Sequence, residues 1–393
     1  MMLTGSSLQA GALPEPILRL KQLPVFCNAL LPDSTAALAA PRGDLELCYS
    51  PQTGYLWNQS FDPALVAYNP TYENSLHYSP RFAAFAAQLA DRLIARYNLA
   101  GKRIVEIGCG EGNFLAQLCE GGHNTGVGYD PSYDPARSKV ATSAAMQIET
   151  AHYPTDRPID ADLVVCQHVL EHLSDPTGLL TSVRKSLESN GERGSAVYFE
   201  VPDATYMVEQ LAVWDLIYEH VSYFSAPTMR LLVESCVFQV TEIGRSFGDQ
   251  YLYVEAIARP LDSEQAHPDV TQLTKLTELI ATFGEHVQRL VADWNSDLSD
   301  MVAAGRVAVW GAGSKGVTFL NLLDAGRDVS HVIDVNPNKA GLHLPGTGHR
   351  ITSPDSLVGS NVKTVLVMNP LYVPEVQDTL AALGLGPDVV SVG

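Results

Sequence analysis

Four groups of residues in this chain of 393 have the types and spacing that chemistry requires. In the first, the apolar run Ile104-Val-Glu-Ile107 leads into Gly108-Cys-Gly110-Glu-Gly112. Glycines there let the main chain turn sharply and let a ligand approach the backbone closely. The G-x-G-x-G spacing, with Glu106 on the preceding strand, is not the dinucleotide spacing G-x-G-x-x-G. In the second, Asp130 ends the run Gly126-Val-Gly-Tyr and stands before Pro131, a position where an Asp commonly forms a turn. The third is Tyr218-Glu219-His220, with Tyr223-Phe224-Ser225 behind it. Taken alone, such a triplet is common on helix surfaces. The fourth is a second glycine loop, Gly311-Ala-Gly313-Ser-Lys315-Gly316, which does have dinucleotide spacing. Asp334 follows about 20 residues on, so this loop alone would suggest NAD binding.

The elements around these residues can be read from periodicity. Prolines at 14, 16, 24, 32, 41, 51, 63 and 70 forbid long helices in the first 70 residues, so a small β-rich or loop structure is expected there. From Ser79, Phe82, Phe85, Leu89, Leu93, Ile94 and Tyr97 recur at helical spacing. Strands over 103–108, 125–129, 145–150, 162–167 and 196–201 then alternate with helices over 112–120 and 177–187. Such alternation implies a parallel sheet covered by helices. Strands over 238–243 and 251–257 read as a hairpin closing the sheet edge. Apolar residues keep 3–4 spacing from Val270 to Val302, which predicts a long packing helix ended by Gly305. A second alternating unit follows, with strands over 306–311, 329–335, 364–369 and 389–392 and helices over 317–323 and 373–383.

Composition narrows the function classes. The charge is −19, from 25 basic and 44 acidic residues. An acidic chain lacks the field that nucleic acid or an anionic membrane surface requires, so neither is an expected partner. No apolar stretch approaches ~20 residues, and the first 20 residues do not have the pattern of a signal peptide. Six cysteines at 27, 48, 109, 119, 166 and 236 form no C-x-x-C pair and suggest buried thiols in a reducing, cytoplasmic setting. The expected organisation is an N-terminal cap over 1–70, a core over 71–260, a helical connector over 261–304 and a small Rossmann-like lobe over 305–393.

The first glycine loop resembles motif I of the class I S-adenosylmethionine-dependent methyltransferases. The block Asp160-Ala-Asp-Leu-Val-Val-Cys-Gln-His-Val-Leu-Glu-His172-Leu-Ser-Asp-Pro176 is similar to the fourth strand and following turn of the same enzymes. The resemblance covers residues 95–200 and implies an α/β fold with a Rossmann-like class I methyltransferase core. It also implies S-adenosylmethionine as cofactor. Glu106, Gly108, Cys109, Gly110, Gly112, Asp130, Pro131, Gln167 and His168 would bind it. Asp130 would take the ribose diol, and Glu106 would organise the loop or meet the methionine amino group through water. Gln167 and His168 would line the methyl-transfer region, and His172 would fix the loop.

Beyond the core, Tyr218-Glu219-His220 with Phe224-Ser225 resembles a segment of the three-part sugar C-methyltransferases, which act on nucleotide-linked keto sugars. The runs Val309–Gly316, Val332–Lys339 and Leu344–Gly346 resemble the C-terminal signature of that family. The resemblance implies a small polar acceptor, of the nucleotide-linked keto-deoxysugar class, methylated on carbon through an enolate. His220 would be the base, Glu219 its orienting partner, and Tyr218 and Tyr78 donors or acids. His77, Tyr223, Lys315 and Lys339 would contact the acceptor, with Arg350 a further candidate for its phosphates. The family opens with a four-cysteine zinc module. Here only Cys27 and Cys48 stand in that segment, so no metal is expected. The alternatives are an O- or N-methyltransferase of secondary metabolism on the same scaffold, or an NAD(P)-dependent oxidoreductase using the second loop. A decayed, non-catalytic binder is disfavoured by the intact first loop. A monomer or homodimer is expected.

Overall fold

A computed structural model describes residues 14–66, 72–136, 138, 140, 143, 145–187, 194–258 and 269–393. The expected boundaries at 70/71 and 260/261, and the first 13 residues, lie outside the described residues. The proline-rich start supplies β1 (Leu18–Pro24), β2 (Arg42–Ser50) and β3 (Tyr55–Asn58). The core supplies β4 (Arg103–Ile107), β5 (Thr125–Tyr129), β6 (Met146–Glu149), β7 (Leu163–Gln167) and β8 (Ala196–Pro202). Next come the short β9 (Ser222–Tyr223), then β10 (Gln239–Ser246) and β11 (Tyr251–Ile257). The last lobe supplies β12 (Arg306–Trp310), β13 (His331–Ile333), β14 (Ile351–Thr352), β15 (Val362–Val367) and β16 (Asp388–Ser391).

These strands form three sheets. The core sheet has the order β10-β11-β8-β7-β4-β5-β6, parallel from β6 to β8 and antiparallel at β8/β11 and β11/β10. The expected edge hairpin is therefore present. The C-terminal sheet, β14-β13-β12-β15-β16, is parallel throughout. The cap sheet runs β1-β2-β3-β9, so the core chain reaches back to complete it.

Local chemistry explains the main helices. Pro80–Tyr97 starts where Ser79 Oγ accepts from Phe82 N–H at 3.3 Å, has Pro80 in its first turn and stops at Asn98 in the left-handed conformation. It buries Phe82, Ala86, Leu89, Ala90 and Leu93, one stripe at 3–4 spacing. Val270–Ala304 is capped by Asp269, whose carboxylate accepts from Thr271 and Gln272 N–H. Its buried stripe includes Leu276, Phe283 and Leu298, in one apolar cluster with Leu45 of the cap and Val309 and Phe319 of the C-terminal lobe. The connector is thus core for two lobes. Ser314–Leu322 begins three residues earlier than expected, and its Gly316 packs directly against the carbonyl of Gly311, where a Cβ would clash.

The layout brings the C-terminal ends of the parallel strands of both α/β sheets to one cavity. In the core the strand order reverses between β4 and β7, and in the C-terminal lobe between β12 and β15. Crevices at such reversals are where open α/β sheets take ligands.

Candidate active site

The first loop leaves β4 with Gly108, Gly110 and Gly112 at φ 73°, 52° and 82°, the left-handed region that favours glycine. A Cβ on Gly108 would collide with Val169, whereas nothing lies within 4 Å of one on Gly110. The loop is therefore packed from behind and open at its middle. Asp130, at the end of β5, pins it: Oδ2 accepts from Gly110 N–H at 2.8 Å, and Oδ1 from Ser132 N–H at 2.7 Å. Pro131 shapes the turn between the two contacts. Cys109 is buried beneath the loop against Gly128, so only its backbone faces outward. Glu106 is 4% exposed, and its Oε2 has no hydrogen-bond partner. Burial pushes its carboxyl up to about 8, with the Leu115 N–H partly offsetting and the Asp130 charge adding to the rise. Gln167 donates to Glu200 Oε1 at 2.8 Å.

Beyond the loop lies a cavity of about 280 Å³ between the two sheet ends, walled by the core, by segment 72–79 and by the C-terminal lobe. His168, Glu171, His172 and His220 line its core side. Gly311, Lys315, Asp334 and Lys339 line the opposite side. The His172 and His220 rings meet edge to face at 4.7 Å. Behind them, fully buried Glu219 accepts from Cys27 N–H and from the Tyr72 hydroxyl, each at 3.0 Å, and stands 3.8 Å from His172 Nδ1. His220 is 9% exposed. Burial, then His172 and His168, hold its pKa well below the usual value, so it stays a neutral imidazole. His168 sits at φ 55° against Tyr251, between Glu171 at 3.5 Å and Glu200 at 3.6 Å. Burial opposes charge on it, but the two carboxylates outweigh burial and raise its pKa.

Not every expected residue reaches the cavity. Tyr78 does, and its hydroxyl accepts from Asn338 at 3.1 Å. Tyr218 does not: its ring stacks on Phe61, its hydroxyl accepts from Asp62 N–H, and Ile217 forms the wall instead. Tyr223 is buried in β9, donating to Ile217 C=O. His77 packs edge-on against Phe82, and burial lowers its pKa to about 4. Lys315 and Lys339 line the cavity but are already paired, with Asp215 and Asp334 respectively, and Arg350 lies exposed away from it. Cys27 and Cys48 pack in two separate apolar clusters. Glu171, Gln250 and Asn336 were not singled out from sequence, yet all face the cavity. Glu171 lay in the block Val-Leu-Glu-His and Asn336 in the run Val332–Lys339, whereas Gln250 lay in no recognised block.

The second loop repeats the first. Asp334 Oδ2 accepts from Ala312 N–H at 2.9 Å and Oδ1 from Asn336 N–H at 2.9 Å, the arrangement seen at Asp130. Residues 77–243 match the methyltransferase domain family, and residues 253–384 match the C-methyltransferase C-terminal domain. This chain is an S-adenosylmethionine-dependent methyltransferase with a C-methyltransferase C-terminal domain. C-methyltransferase NovU from Streptomyces niveus is 25% identical to the methyltransferase over 307 residues, 74% of this chain and 72% of NovU. The ubiquinone biosynthesis O-methyltransferase of Methylococcus capsulatus is 27% identical over 126 residues, 30% of this chain and 51% of that protein. Among solved structures, magnesium protoporphyrin IX methyltransferase from Synechocystis PCC 6803 is 14% identical, with a TM-score of 0.35 over 45% of this chain and 83% of that one. The cofactor of the methyltransferase is S-adenosylmethionine. Two features fit it: the open middle of the first loop, and the unpaired Glu106 oxygen, which suits a cationic amino-acid end. Among the described residues no helix is long and apolar enough to cross a membrane.

Proposed function

We propose that this methyltransferase places a methyl group on a carbon next to the carbonyl of a small polar acceptor held in the cavity between the lobes. The observation that carries this reading is a neutral, buried imidazole, His220, on the wall of that cavity. S-adenosylmethionine supplies an electrophilic methyl group when bound. His220 takes the proton from the acceptor carbon, and Glu219 acts through His172 to position the imidazole pair. Tyr78, across the cavity, donates to the developing enolate oxygen. A nucleotide-linked keto-deoxysugar is the acceptor class we favour, because its sugar would lie by the histidines and its nucleotide by the second loop. Lys315 at the start of helix Ser314–Leu322 is then the group nearest a phosphate, provided it trades Asp215 for it. The cytoplasm is the setting that six unpaired thiols suit.

The test uses a panel of nucleotide-linked keto-deoxysugars in deuterium oxide. Exchange at the carbon beside the ketone, without net methylation when S-adenosylhomocysteine replaces the methyl donor, is expected. His220→Asn should abolish exchange and lower methylation by about 100-fold or more while S-adenosylhomocysteine still binds. Methylation at oxygen or nitrogen with no exchange would favour the O- or N-methyltransferase reading.

A further inference from the structure

The three side chains Glu171, His172 and His220 offer one ligand atom each, all within 4.8 Å of one another, and they are the one such group among the described residues. Glu171 and His172 lie in the short turn Leu170–His172 after β7, and His220 lies before β9. Val221 N–H donates to Glu171 C=O at 2.8 Å, so a backbone hydrogen bond clamps the two segments together. We propose that these three residues form a site for a divalent transition-metal ion of the zinc class, and that filling it silences the enzyme.

Glu171 provides the first argument. It is 2% exposed, one of its oxygens faces His168, and Oε2 has no hydrogen-bond partner. A buried, unpaired carboxylate oxygen is costly, and a dication is the partner it lacks. The second argument is the surroundings of His172. Its Nδ1 faces Glu219 Oε2, itself fixed by Cys27 N–H and the Tyr72 hydroxyl, so a carboxylate stands behind this imidazole. A carboxylate behind an imidazole is the usual support of a metal-bound histidine. The donor set is the third. Two imidazoles and one carboxylate suit zinc or cobalt and not magnesium or calcium, which take oxygen ligands. All three residues line the cavity, so the fourth position opens onto acceptor space.

The inhibitory part rests on the reading of His220 as the base, since a nitrogen holding a metal cannot take a proton. The metal-binding part is independent of it. The experiment titrates the chelator-treated full chain with Co²⁺ and Zn²⁺, and with Mg²⁺ as control, followed by calorimetry and by the visible bands of cobalt. One Co²⁺ or Zn²⁺ per chain is expected, with no thiolate-to-cobalt charge-transfer band. Glu171→Gln and His172→Asn should each weaken binding by more than about 100-fold, beyond the ~10–100-fold typical of an outer-shell change. Unchanged S-adenosylhomocysteine binding shows that the variants fold. Zinc should also suppress turnover of whichever keto-deoxysugar the enzyme accepts, reversibly on chelation. Absence of binding, binding with thiolate bands, or binding that survives both variants overturns the site. Binding with higher turnover overturns the inhibitory role. Absence of carbon–deuterium exchange in metal-free enzyme would instead reject the base reading and leave the site standing.

Discussion

At the residue scale, two carboxyl groups with opposite surroundings flank the first glycine loop. Asp130 has donors on both oxygens, from Gly110 and Ser132, and stays poised at the end of β5. If it takes the ribose diol, Asp130→Ala should weaken S-adenosylhomocysteine binding roughly 10–100-fold, since hydrogen bonds to a charged group contribute about 1.5–3 kcal/mol. Calorimetry would measure this, and unchanged affinity would remove Asp130 from the site. Glu106 is the reverse case, a carboxyl pushed up to about 8 by burial. In the empty protein it therefore holds a proton at pH 7. If it meets the cationic amino-acid end of the cofactor, that charge favours the ionised form, and binding should expel up to one proton below about pH 8. Affinity should rise with pH over that range, by at most about tenfold per pH unit, and level off above it. Calorimetry in buffers of different ionisation enthalpy would count the proton, and Glu106→Gln should abolish its release. The same shift makes the empty protein less stable as pH rises from about 4.5 to 8, because the native state binds the extra proton there.

At the element scale, the lobes meet through side-chain pairs next to the cavity. Gln250 and Asn369 exchange two hydrogen bonds, at 3.0 and 2.9 Å, between the turn before β11 and the end of β15. Both amides are buried. Asn369→Ala should cost about 1–3 kcal/mol by leaving Gln250 unpaired, whereas adding Gln250→Ala should recover part of that loss. Denaturant unfolding of the cycle would show additive costs if the pair were not coupled. Such seams were not legible in the sequence. The strands and helices of both α/β units were, because buried elements print a period of two or 3.6 on the chain, as the stripe from Phe82 to Leu93 does. The first glycine loop was legible because its three glycines take left-handed backbone, and the second because Gly311 takes a positive φ and Gly316 packs too close to the Gly311 carbonyl for a side chain. The stretch around Tyr218 was not, since an irregular segment has no period. Nothing local signals that Ile217 faces the cavity while Tyr218 turns to Asp62. The meeting of Glu171 with His220 likewise depends on one backbone hydrogen bond across 50 residues of chain, Val221 to Glu171. A two-residue strand such as β9 is too short to carry any pattern.

At the scale of the whole molecule, the chain folds back so that the cap and the C-terminal lobe share a core. Leu18, Leu45 and Leu56 of the cap, Phe283 and Leu298 of the long helix, and Val309 and Phe319 of the C-terminal lobe belong to one apolar cluster. Phe319 is its hinge point. It is fully buried and packs edge to face on Trp214 at 4.9 Å and on Trp294 at 5.4 Å, and Trp214 in turn donates to Val392 C=O. A charge of −19 works against such compaction by self-repulsion, which leaves shared apolar burial to hold the lobes. Phe319→Ala should therefore destabilise the protein by about 3–5 kcal/mol, the range for emptying an aromatic site in a core. The cluster also decides where the damage spreads. Cap and C-terminal lobe share these contacts, so segments 18–47 and 306–392 should lose amide protection together in hydrogen exchange, while β4, β7 and β8, which pack in other clusters together with Tyr55 and Trp57 of β3, keep theirs longer. Loss confined to 306–392 would mean that the cap holds itself. Joint loss would show that the cavity, walled by cap, core and C-terminal lobe, depends on cap and C-terminal lobe together.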